Sequence, residues 1–578
     1  MGINEEKVMA FPGDKDDKLP AEETSPLINT RGNGGIDEAL DKIGIGFFHV
    51  ILILVTGWAL ASDSVEILCI GFVSPQLADS NTNPDLALKP SSVEEGILDG
   101  VIFAGMMVGG YFWGSISDIV GRRSCLITSL TVNGIFGFAS SLSPHYIAFL
   151  FFRFMSGVGV GGSLPVAFSY FCEFFSRKNR GPFVIIVASF WTIGQVFAAV
   201  IAMPILDSEY MRSHVNSTLG SITITPWRVY IMLCTFPCLS AALALVFLPE
   251  SPAFLYSKGK MDKLHATLRR IQRCNSFCCW RRKNQFNGEL RPLTPPPMTS
   301  SSDEGLSRSQ RMIKKMLIIF KSTVDLFRFA YLRPTLVLIT VFFTFSFGYY
   351  GLLLWFPEYF KCVYQSENNC ILSSNEGHRC APNVTAICNS TGSSLYLDSL
   401  YTALATIPAT VLGIITVNIL GGKLMLALSV FVCGLSAFLI RIVPSTENVT
   451  VVLSCVFNGV AIFGWNALDV ISTSELFPTH LRSTAIGIQS VLGRVGAILG
   501  NVLFGQLIEV DPLIPIAMVA VVLMFGGLVG FGLPSQRGGP SLRKMTSRCC
   551  SLVCRQGQRC SNCINRNQLS SEYEHINT

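Results

Sequence analysis

Two acidic residues three positions apart, Asp63 and Glu66, interrupt an apolar run from Gly44 to Val73 that has no other charge. At this spacing the two carboxylates lie on one face of a helix. A charge at the centre of a bilayer costs roughly 2.5–3.5 kcal/mol even on a lenient insertion scale, so it needs a partner or a water-filled cavity. Arg153 lies at a similar depth in a later apolar run. We expect it to pair with one carboxylate and to leave the other free to bind a cation or a proton. The alternative is a charge cluster that only locks the helices together.

The apolar runs that carry these charges are long enough to cross a membrane. Of the 578 residues, 50% are hydrophobic and only 14% are charged, too few to cover the surface of a soluble chain of this length. A membrane-crossing helix needs about 20 mostly apolar residues, so the sequence predicts an all-α membrane protein. The twelve predicted transmembrane helices cover residues 46–71, 97–117, 123–143, 146–172, 183–205, 228–248, 335–357, 396–418, 424–443, 451–474, 483–507 and 512–533.

Basic residues cluster in alternate loops, and this pattern sets the predicted orientation. Arg122 and Arg123 follow the second span, and the 257–333 connection is strongly basic. Because basic loops stay in the cytoplasm, both termini are predicted to be cytoplasmic. Four glycosylation triplets fall in loops on the opposite, luminal side, and they begin at Asn216, Asn383, Asn389 and Asn448. The luminal loop 358–395 holds four cysteines that predict two disulfides without fixing their pairing: Cys362, Cys370, Cys380 and Cys388.

A repeat relates the two parts of the chain at a constant offset. Gly157 matches Gly459, and the same offset relates Val158 and Val460, Gly162 and Gly464, Glu173 and Glu475, Phe175 and Phe477, Arg180 and Arg482, and Gly194 and Gly496. Two six-span halves in the same orientation indicate a duplication, and parallel halves are typical of transporters whose site lies between them. We therefore predict a disordered cytoplasmic N-terminal tail, a six-helix bundle, a cytoplasmic linker, a second six-helix bundle and a cytoplasmic C-terminal tail, at residues 1–44, 45–250, 251–333, 334–535 and 536–578.

The loop between the second and third spans, GSISDIVGRR (114–123), resembles the signature loop of the major facilitator superfamily. Ile119 replaces the usual basic residue, and five residues fit the signature: Gly114, Asp118, Gly121, Arg122 and Arg123. PESP (249–252) and ELFPTHLR (475–482) resemble motifs of the sugar and organic-ion branches. The resemblance implies the fold of that superfamily, two pseudo-symmetric six-helix bundles. It also implies a conformational-gate motif that is completed by Glu173, Arg180, Glu475 and Arg482.

Within that superfamily the chain resembles the synaptic vesicle glycoprotein 2 family. The resemblance rests on Asp63-Ser-Val-Glu66, RFMSGVGVGGSLPVAFSYFCEFF (153–175), FTFSFGYYGLLLWFP (343–357) and GWNALDVISTSELFPT (464–479). It implies that a central pocket is lined by Trp191, Trp465 and Asp469. In two respects the chain departs from the family. Its luminal loop is short, and residues 418–423 lack the Asp and Arg of a second signature loop. Properties tied to a long luminal loop are therefore not expected.

The predicted function is secondary transport of a small polar or charged organic solute by alternating access. Trp191 and Trp465 would pack on the solute, and Asn458 and Asn466 are either pocket residues or interhelical hydrogen-bonders. The charged residues that would recognise the solute and carry any proton coupling are Asp63, Glu66, Arg153, Asp469 and Arg494. The second hypothesis is a transporter-like vesicle protein that acts mainly by binding partners and regulating vesicle trafficking or exocytosis. The 418–423 loop weakly favours this alternative.

The sequence contains no hydrolytic, redox or metal-binding constellation. We therefore expect neither an enzyme nor a resident cofactor or metal, and no nucleic-acid partner. The two tails carry sorting patterns: an acidic dileucine signal at Glu23, Leu27 and Ile28, and a YxxΦ signal at Tyr573 and Ile576. These patterns predict binding of clathrin-adaptor-type sorting proteins. They also predict a vesicular or endolysosomal membrane location with cycling through the plasma membrane.

Overall fold

Long apolar helices make up most of the structure, a computed structural model that describes residues 34–78, 90–176, 180–206, 217–219, 222–277, 323–360, 393–443, 447–473, 479–508, 510–511 and 513–533. In chain order its elements are α1 (Gly34–Ile43), α2 (Phe47–Ala78), α3 (Ser92–Val120), α4 (Arg122–Ser141), α5 (Tyr146–Cys172), α6 (Arg180–Ala188), α7 (Phe190–Leu206), β1 (Ser217–Leu219), β2 (Ile222–Ile224), α8 (Pro226–Cys234), α9 (Phe236–Val246), α10 (Pro252–Ser257), α11 (Met261–Phe277), α12 (Phe329–Leu353), α13 (Ser393–Leu404), α14 (Thr406–Leu420), α15 (Gly422–Ile442), α16 (Glu447–Thr473), α17 (Thr479–Ile508) and α18 (Leu513–Gly530).

The predicted membrane helices are present, and three of them are interrupted. Among the described residues, 11 helical segments are long and apolar enough to cross a membrane. The predicted eighth span, 396–418, forms two shorter helices instead, α13 and α14, which meet at Ala405. The fifth span bends similarly between α6 and α7, and the sixth between α8 and α9, where Pro237 in the first turn of α9 lacks a backbone N–H. Spans one to four are thus α2 to α5, and spans seven and nine to twelve are α12 and α15 to α18.

One prediction about the regions outside the spans needs correction. Residues 1–44 are predicted to be disordered, yet Gly34–Ile43 forms helix α1, because its apolar face, with Ile36 and Leu40 buried, packs against α11. Asn275 of α11 reinforces this contact by donating a hydrogen bond to the Gly44 carbonyl at 3.0 Å. The all-α class is confirmed, and the short antiparallel hairpin of β1 and β2 lies in the loop after α7.

The two halves repeat the same close helix contacts at matched glycines. A Cβ on Gly194 would collide with the Ala61 carbonyl of α2, the first span of the first half. A Cβ on its repeat partner Gly496 would collide with the Phe343 carbonyl of α12, the first span of the second half. Small residues let helix backbones approach closely in membranes. The glycines of the sequence repeat therefore mark equivalent helix crossings in two pseudo-symmetric bundles.

The halves meet closely at one end of the bundle. This end, which contains Ser92, is called luminal after the predicted orientation, and the end that contains Gly121 is called cytoplasmic. At the luminal end α3 packs on α17, and a Cβ on Gly96 would collide with the backbone of Asn501. Toward the cytoplasmic end of the same two helices, no described atom of another helix lies within 4 Å of the place that a Cβ would take on Gly114 or Gly487. The described helices are therefore closed at the luminal end and have more open space at the cytoplasmic end.

Replacing Gly96 with valine is expected to hold the luminal end open. The added side chain would overlap α17 only while α3 and α17 are packed, at a cost of about 1–3 kcal/mol. That cost shifts an equilibrium between closed and open luminal ends about 5–150-fold toward the open form. Distances between nitroxide labels on α3 and α17 would report the shift. The matched control is Gly487→Ala, where the added methyl group meets open space and the distance should not change. An unchanged distance in Gly96→Val would contradict this account of the closed end.

Candidate functional site

A buried ion pair joins the first and fourth spans. The Arg153 Nη1 atom lies 2.7 Å from Glu66 Oε1, and the two side chains are only 0% and 1% exposed. Ser156 donates a hydrogen bond to the same Glu66 oxygen at 2.6 Å, and Cys69 Sγ lies 3.3 Å from Arg153 Nη1. The predicted pairing of Arg153 with one of the two carboxylates is confirmed, and Glu66 is the one that it pairs with.

Asp63 is left without an ion pair among the described residues. Its two carboxylate oxygens each lie 2.7 Å from the Ser163 hydroxyl, and the side chain is fully buried. Arg494 of α17, in the second half, attracts this carboxylate electrostatically. The Arg494 guanidinium also lies over the ring of Phe103 in α3, 5.8 Å from its centre. Asp63 of the first half and Arg494 of the second half are therefore near enough to interact electrostatically across the interface.

A chain of hydrogen bonds also crosses this interface. Gln195 of α7 donates to the Tyr349 hydroxyl of α12 at 3.1 Å, and Tyr349 donates to Asn458 of α16 at 3.4 Å. The Asn458 amide then donates to the Thr402 carbonyl of α13 at 3.0 Å. The chain thus links four helices, one from the first half and three from the second.

A small cavity of about 30 Å³ lies between the halves beside this chain. Residues of both halves line it, including Gly71, Phe72, Gln195, Phe356, Thr402 and Asn458. For Asn458, pocket residue and interhelical hydrogen-bonder were alternative predictions. The structure places it in both positions at once.

The two tryptophans lie near Tyr349 on either side of the interface. The Trp465 ring packs against four aromatic rings with centroid distances between 4.7 and 5.8 Å, from Phe342, Phe345, Tyr349 and Tyr350. Trp191, from the first half, lies close enough to Tyr349 for its side chain to interact with the Tyr349 hydroxyl. Among the described residues, Trp465 Nε1 and the Asn466 Nδ2 next to it have no hydrogen-bond partner although both are buried. Asp469 belongs to α16, but its side chain lies outside the described residues.

The signature-loop residues of the first half form one connected cluster at the cytoplasmic end. Asp118 pairs with Arg122, whose Nε also lies 3.3 Å from Glu173 Oε1 at the end of α5. The Arg123 backbone N–H donates to Glu250 at 2.9 Å. Gly121 has a φ of +119°, a conformation that side chains other than glycine rarely adopt. The loop therefore ties α3 and α4 to the ends of spans four and six within the first half, while Gly114 lies on α3 with open space beside it.

Several predicted residues lie outside what the structure describes. The Arg180 and Arg482 side chains and all of Glu475 belong to this group. It also includes the glycosylation candidates Asn216, Asn383 and Asn389, the cysteines Cys362, Cys370, Cys380 and Cys388, and the sorting residues Glu23, Leu27, Ile28, Tyr573 and Ile576. Asn448 is described, and it is exposed in the first turn of α16.

Sequence reasoning missed four residues at the interface. Ser163, Gln195 and Tyr349 have no distinctive sequence pattern, because serine, glutamine and tyrosine are common in membrane helices that pack on one another. Asp99 is different. It is a carboxylate inside the predicted span 97–117, and the argument that singled out Asp63 applies to it equally.

Comparison with known proteins agrees with this architecture. The sequence profile of the Major Facilitator Superfamily matches residues 52–501. Synaptic vesicle glycoprotein 2C of Homo sapiens is 30% identical, over 86% of this chain and 80% of that protein. Synaptic vesicle glycoprotein 2A of Rattus norvegicus is 29% identical, over 86% and 79%. The xylose transporter XylE from E. coli, in a partially occluded inward open conformation, shares the fold with a TM-score of 0.59 and 16% identity, over 85% of this chain and 99% of XylE.

Membrane helices in two alike bundles, with an ion pair buried inside the first bundle, define a transporter-like multi-pass membrane protein. The chain belongs to the major facilitator superfamily and, within it, to the synaptic vesicle glycoprotein 2 family. The predicted fold and both predicted family relationships are therefore confirmed.

Proposed function

We propose that this protein is a secondary transporter that moves a small polar or charged organic solute across a vesicle membrane by alternating access, with protons as the coupling ion. The observation that carries the proposal is the Asp63 carboxylate, which is fully buried and interacts electrostatically with Arg494 of the other half. A buried charge between two moving bodies is typical of substrate and ion pathways. The names of the relatives, synaptic vesicle glycoproteins 2A and 2C, support the vesicular location.

The hydrogen bonds at Asp63 support proton binding there. Ser163 Oγ lies 2.7 Å from both Asp63 oxygens and also 2.7 Å from the Val160 carbonyl oxygen. A hydroxyl has one proton to donate, so it cannot serve three acceptors. If Asp63 is protonated, its own O–H donates to Ser163, and Ser163 donates to Val160. Two of the three contacts then share a proton, against only one of three if Asp63 is ionised, which makes a neutral Asp63 the better fit to this arrangement.

Unused hydrogen-bonding capacity around the interface supports a polar solute. Among the described residues, six buried side-chain atoms there have no partner: Glu66 Oε2, Arg153 Nε and Nη2, Gln195 Oε1, Trp465 Nε1 and Asn466 Nδ2. Leaving such a group unsatisfied costs about 1–3 kcal/mol. Water or a bound solute with both donors and acceptors would remove this cost. In this proposal Trp191 and Trp465 supply the apolar walls of the pathway, and Asp469 adds a negative charge.

A second candidate function is binding of partner proteins rather than transport. It is supported by the second signature loop, which keeps a positive φ of 76° at Gly421 but has Asn418 and Lys423 where an acid–arginine pair would connect the helices. In this case the two tails would carry the function, by binding clathrin-adaptor-type proteins at the two sorting signals. Both proposals include a cytoplasmic location of the two tails.

Reconstitution distinguishes the two functions. Proteoliposomes loaded with a pH-sensitive dye are exposed to a panel of organic cations, organic anions, zwitterions and sugars, with and without a pH gradient. For at least one class of solute, we expect uptake to be accompanied by proton movement and to be faster under the pH gradient. Protein-free liposomes serve as the control. If no class gives uptake while the protein keeps its thermal unfolding transition, the transport proposal is wrong and partner binding is favoured.

A further inference from the structure

One buried carboxylate has no role in the site described so far. Asp99 lies in α3, two turns from its luminal end, and its side chain is 1% exposed. Within the described part of the chain it forms no ion pair, and its Oδ1 has no hydrogen-bond partner. This contrasts with Glu66, which has Arg153, and with Asp63, which has Ser163 and Arg494.

Asp99 lies within the closed luminal contact between the halves. Gly96 and Gly100 on either side of it in sequence face the backbone of α17, at Asn501 and Ile498. Phe103, one turn farther along the same side of α3, packs against Tyr350 of α12 at 4.7 Å between ring centroids. The carboxylate is therefore enclosed by the helices that must separate when the luminal end opens.

The ionisable groups around Asp99 give it little compensation. On its own helix Glu94 and Glu95 are also acidic. The packed neighbours contribute Tyr146 and Arg153 from α5 and Tyr350 from α12. Arg153 is already paired with Glu66, and Arg494 from α17 lies over the Phe103 ring. On α2 the charged residues are Asp63 and Glu66, and on α4 they are Arg122 and Arg123 at the opposite, cytoplasmic end. No described cation pairs with Asp99.

We propose that Asp99 is a proton-binding site of the luminal gate, protonated while α3 and α17 are packed together and free to ionise when they separate. A lone carboxylate in a water-free contact is unfavourable as an anion, but as a neutral acid it fits the contact. Opening the gate admits water, which stabilises the anion. This site rests on the proposed alternating access, and it is distinct from Asp63, which lies deeper and contacts Ser163.

The proposal couples luminal acidity to the state of the gate. Closing the gate on an ionised Asp99 takes up one proton from the lumen, and opening the gate releases it. A transition that binds one proton has an equilibrium constant that changes by up to about tenfold per pH unit. An acidic lumen therefore favours the closed luminal end, and a neutral lumen favours the open one.

The test measures the gate itself and needs no solute. A ketone-bearing unnatural amino acid replaces Ile97 of α3 and Leu499 of α17, two exposed positions at the luminal end. A nitroxide label is then attached to each ketone. This chemistry leaves the native cysteines unlabelled. Pulsed electron paramagnetic resonance on the full-length protein in lipid then gives the ratio of short to long distances between pH 8 and pH 5. We expect the ratio to rise as the pH falls, approaching tenfold per pH unit at the steepest point.

Variants assign the response to Asp99. In Asp99→Asn, which mimics the neutral acid, the short distance should dominate at every pH. Asp99→Leu, which also cannot ionise, should behave in the same way and guards against an effect specific to asparagine. In Asp63→Asn the pH response of the gate should persist. A wild-type ratio that does not change with pH, or an unchanged response in Asp99→Asn, overturns the proposal. Failure of solute uptake with an intact gate response would count against the proposed transport alone.

Discussion

Arg153→Ala is expected to abolish solute uptake and to lower the free energy of unfolding by about 3–5 kcal/mol, the usual cost of removing one partner of a buried ion pair. Glu66 would be left as a lone carboxylate at membrane depth, 1% exposed, with the Ser156 hydroxyl as its remaining strong partner. Thermal unfolding of the purified protein and uptake into proteoliposomes would measure the two effects separately. The surface pair Lys42–Glu38 has the same 2.7 Å separation but is exposed, so Lys42→Ala should cost less than about 1 kcal/mol.

The double variant Glu66→Gln with Arg153→Gln separates a solute pathway from a structural lock. Both charges disappear together, so neither remains unpaired, and stability should recover relative to Arg153→Ala. If the pair only locks α2 to α5, uptake should recover with stability. If the pair belongs to the solute pathway, the double variant folds but does not transport. A stable double variant with normal uptake would therefore remove Glu66 and Arg153 from the proposed pathway.

The membrane helices could be predicted because the bilayer imposes a simple rule on the sequence. Each backbone polar group must be satisfied inside its own helix, and each exposed side chain must tolerate lipid, so long apolar runs mark the spans. The run 146–172 coincides with α5 for this reason. The same rule makes charged residues in these runs conspicuous, which is why Asp63, Glu66 and Arg153 could be named from sequence.

Which of these charges touch could not be predicted, because contact depends on how each helix is rotated and where it crosses its neighbours. Asp63 and Glu66 share a face of α2, yet only Glu66 contacts Arg153. Asp63 instead contacts Ser163, which lies farther along the same helix as Arg153. The break at Ala405 does have a sequence signal, because Pro408 lacks a backbone N–H and its ring clashes with the Leu404 carbonyl one turn earlier. Tertiary packing decides which charges meet, and a hydropathy pattern records neither feature.

Helix α1 could not be predicted from the sequence for a different reason. Its sequence, GGIDEALDKI, is short and polar enough to be assigned to a disordered tail. An isolated helix of this length is marginal in water. It is stabilised by a partner far along the chain, α11, whose Asn275 holds the Gly44 carbonyl. A pattern read locally cannot detect a partner that only the fold brings near.

Asp63→Asn is expected to uncouple transport from the proton gradient without stopping solute exchange. The variant keeps a side chain of nearly the same size beside Ser163 but can neither bind nor release a proton. Coupling to one proton supports an accumulation of about tenfold per pH unit, and the variant should lose that whole factor. Exchange of labelled for unlabelled solute needs only binding and movement of the halves, so it should continue. Both are measured in the same proteoliposomes, with the solute found active in the panel, with and without the gradient.

Ser163→Ala is the matched control for this variant. It removes the hydroxyl that contacts both Asp63 oxygens but leaves the carboxylate and its attraction to Arg494. Accumulation should therefore persist, with an altered dependence on pH because one hydrogen bond to the carboxyl group is gone. If Asp63→Asn still accumulates solute as the wild type does, the coupling proton binds elsewhere, and Asp63 is only a structural neighbour of Arg494. If Asp63→Asn loses exchange as well, its charge is needed to bind the solute, and the separation of coupling from recognition argued here is wrong.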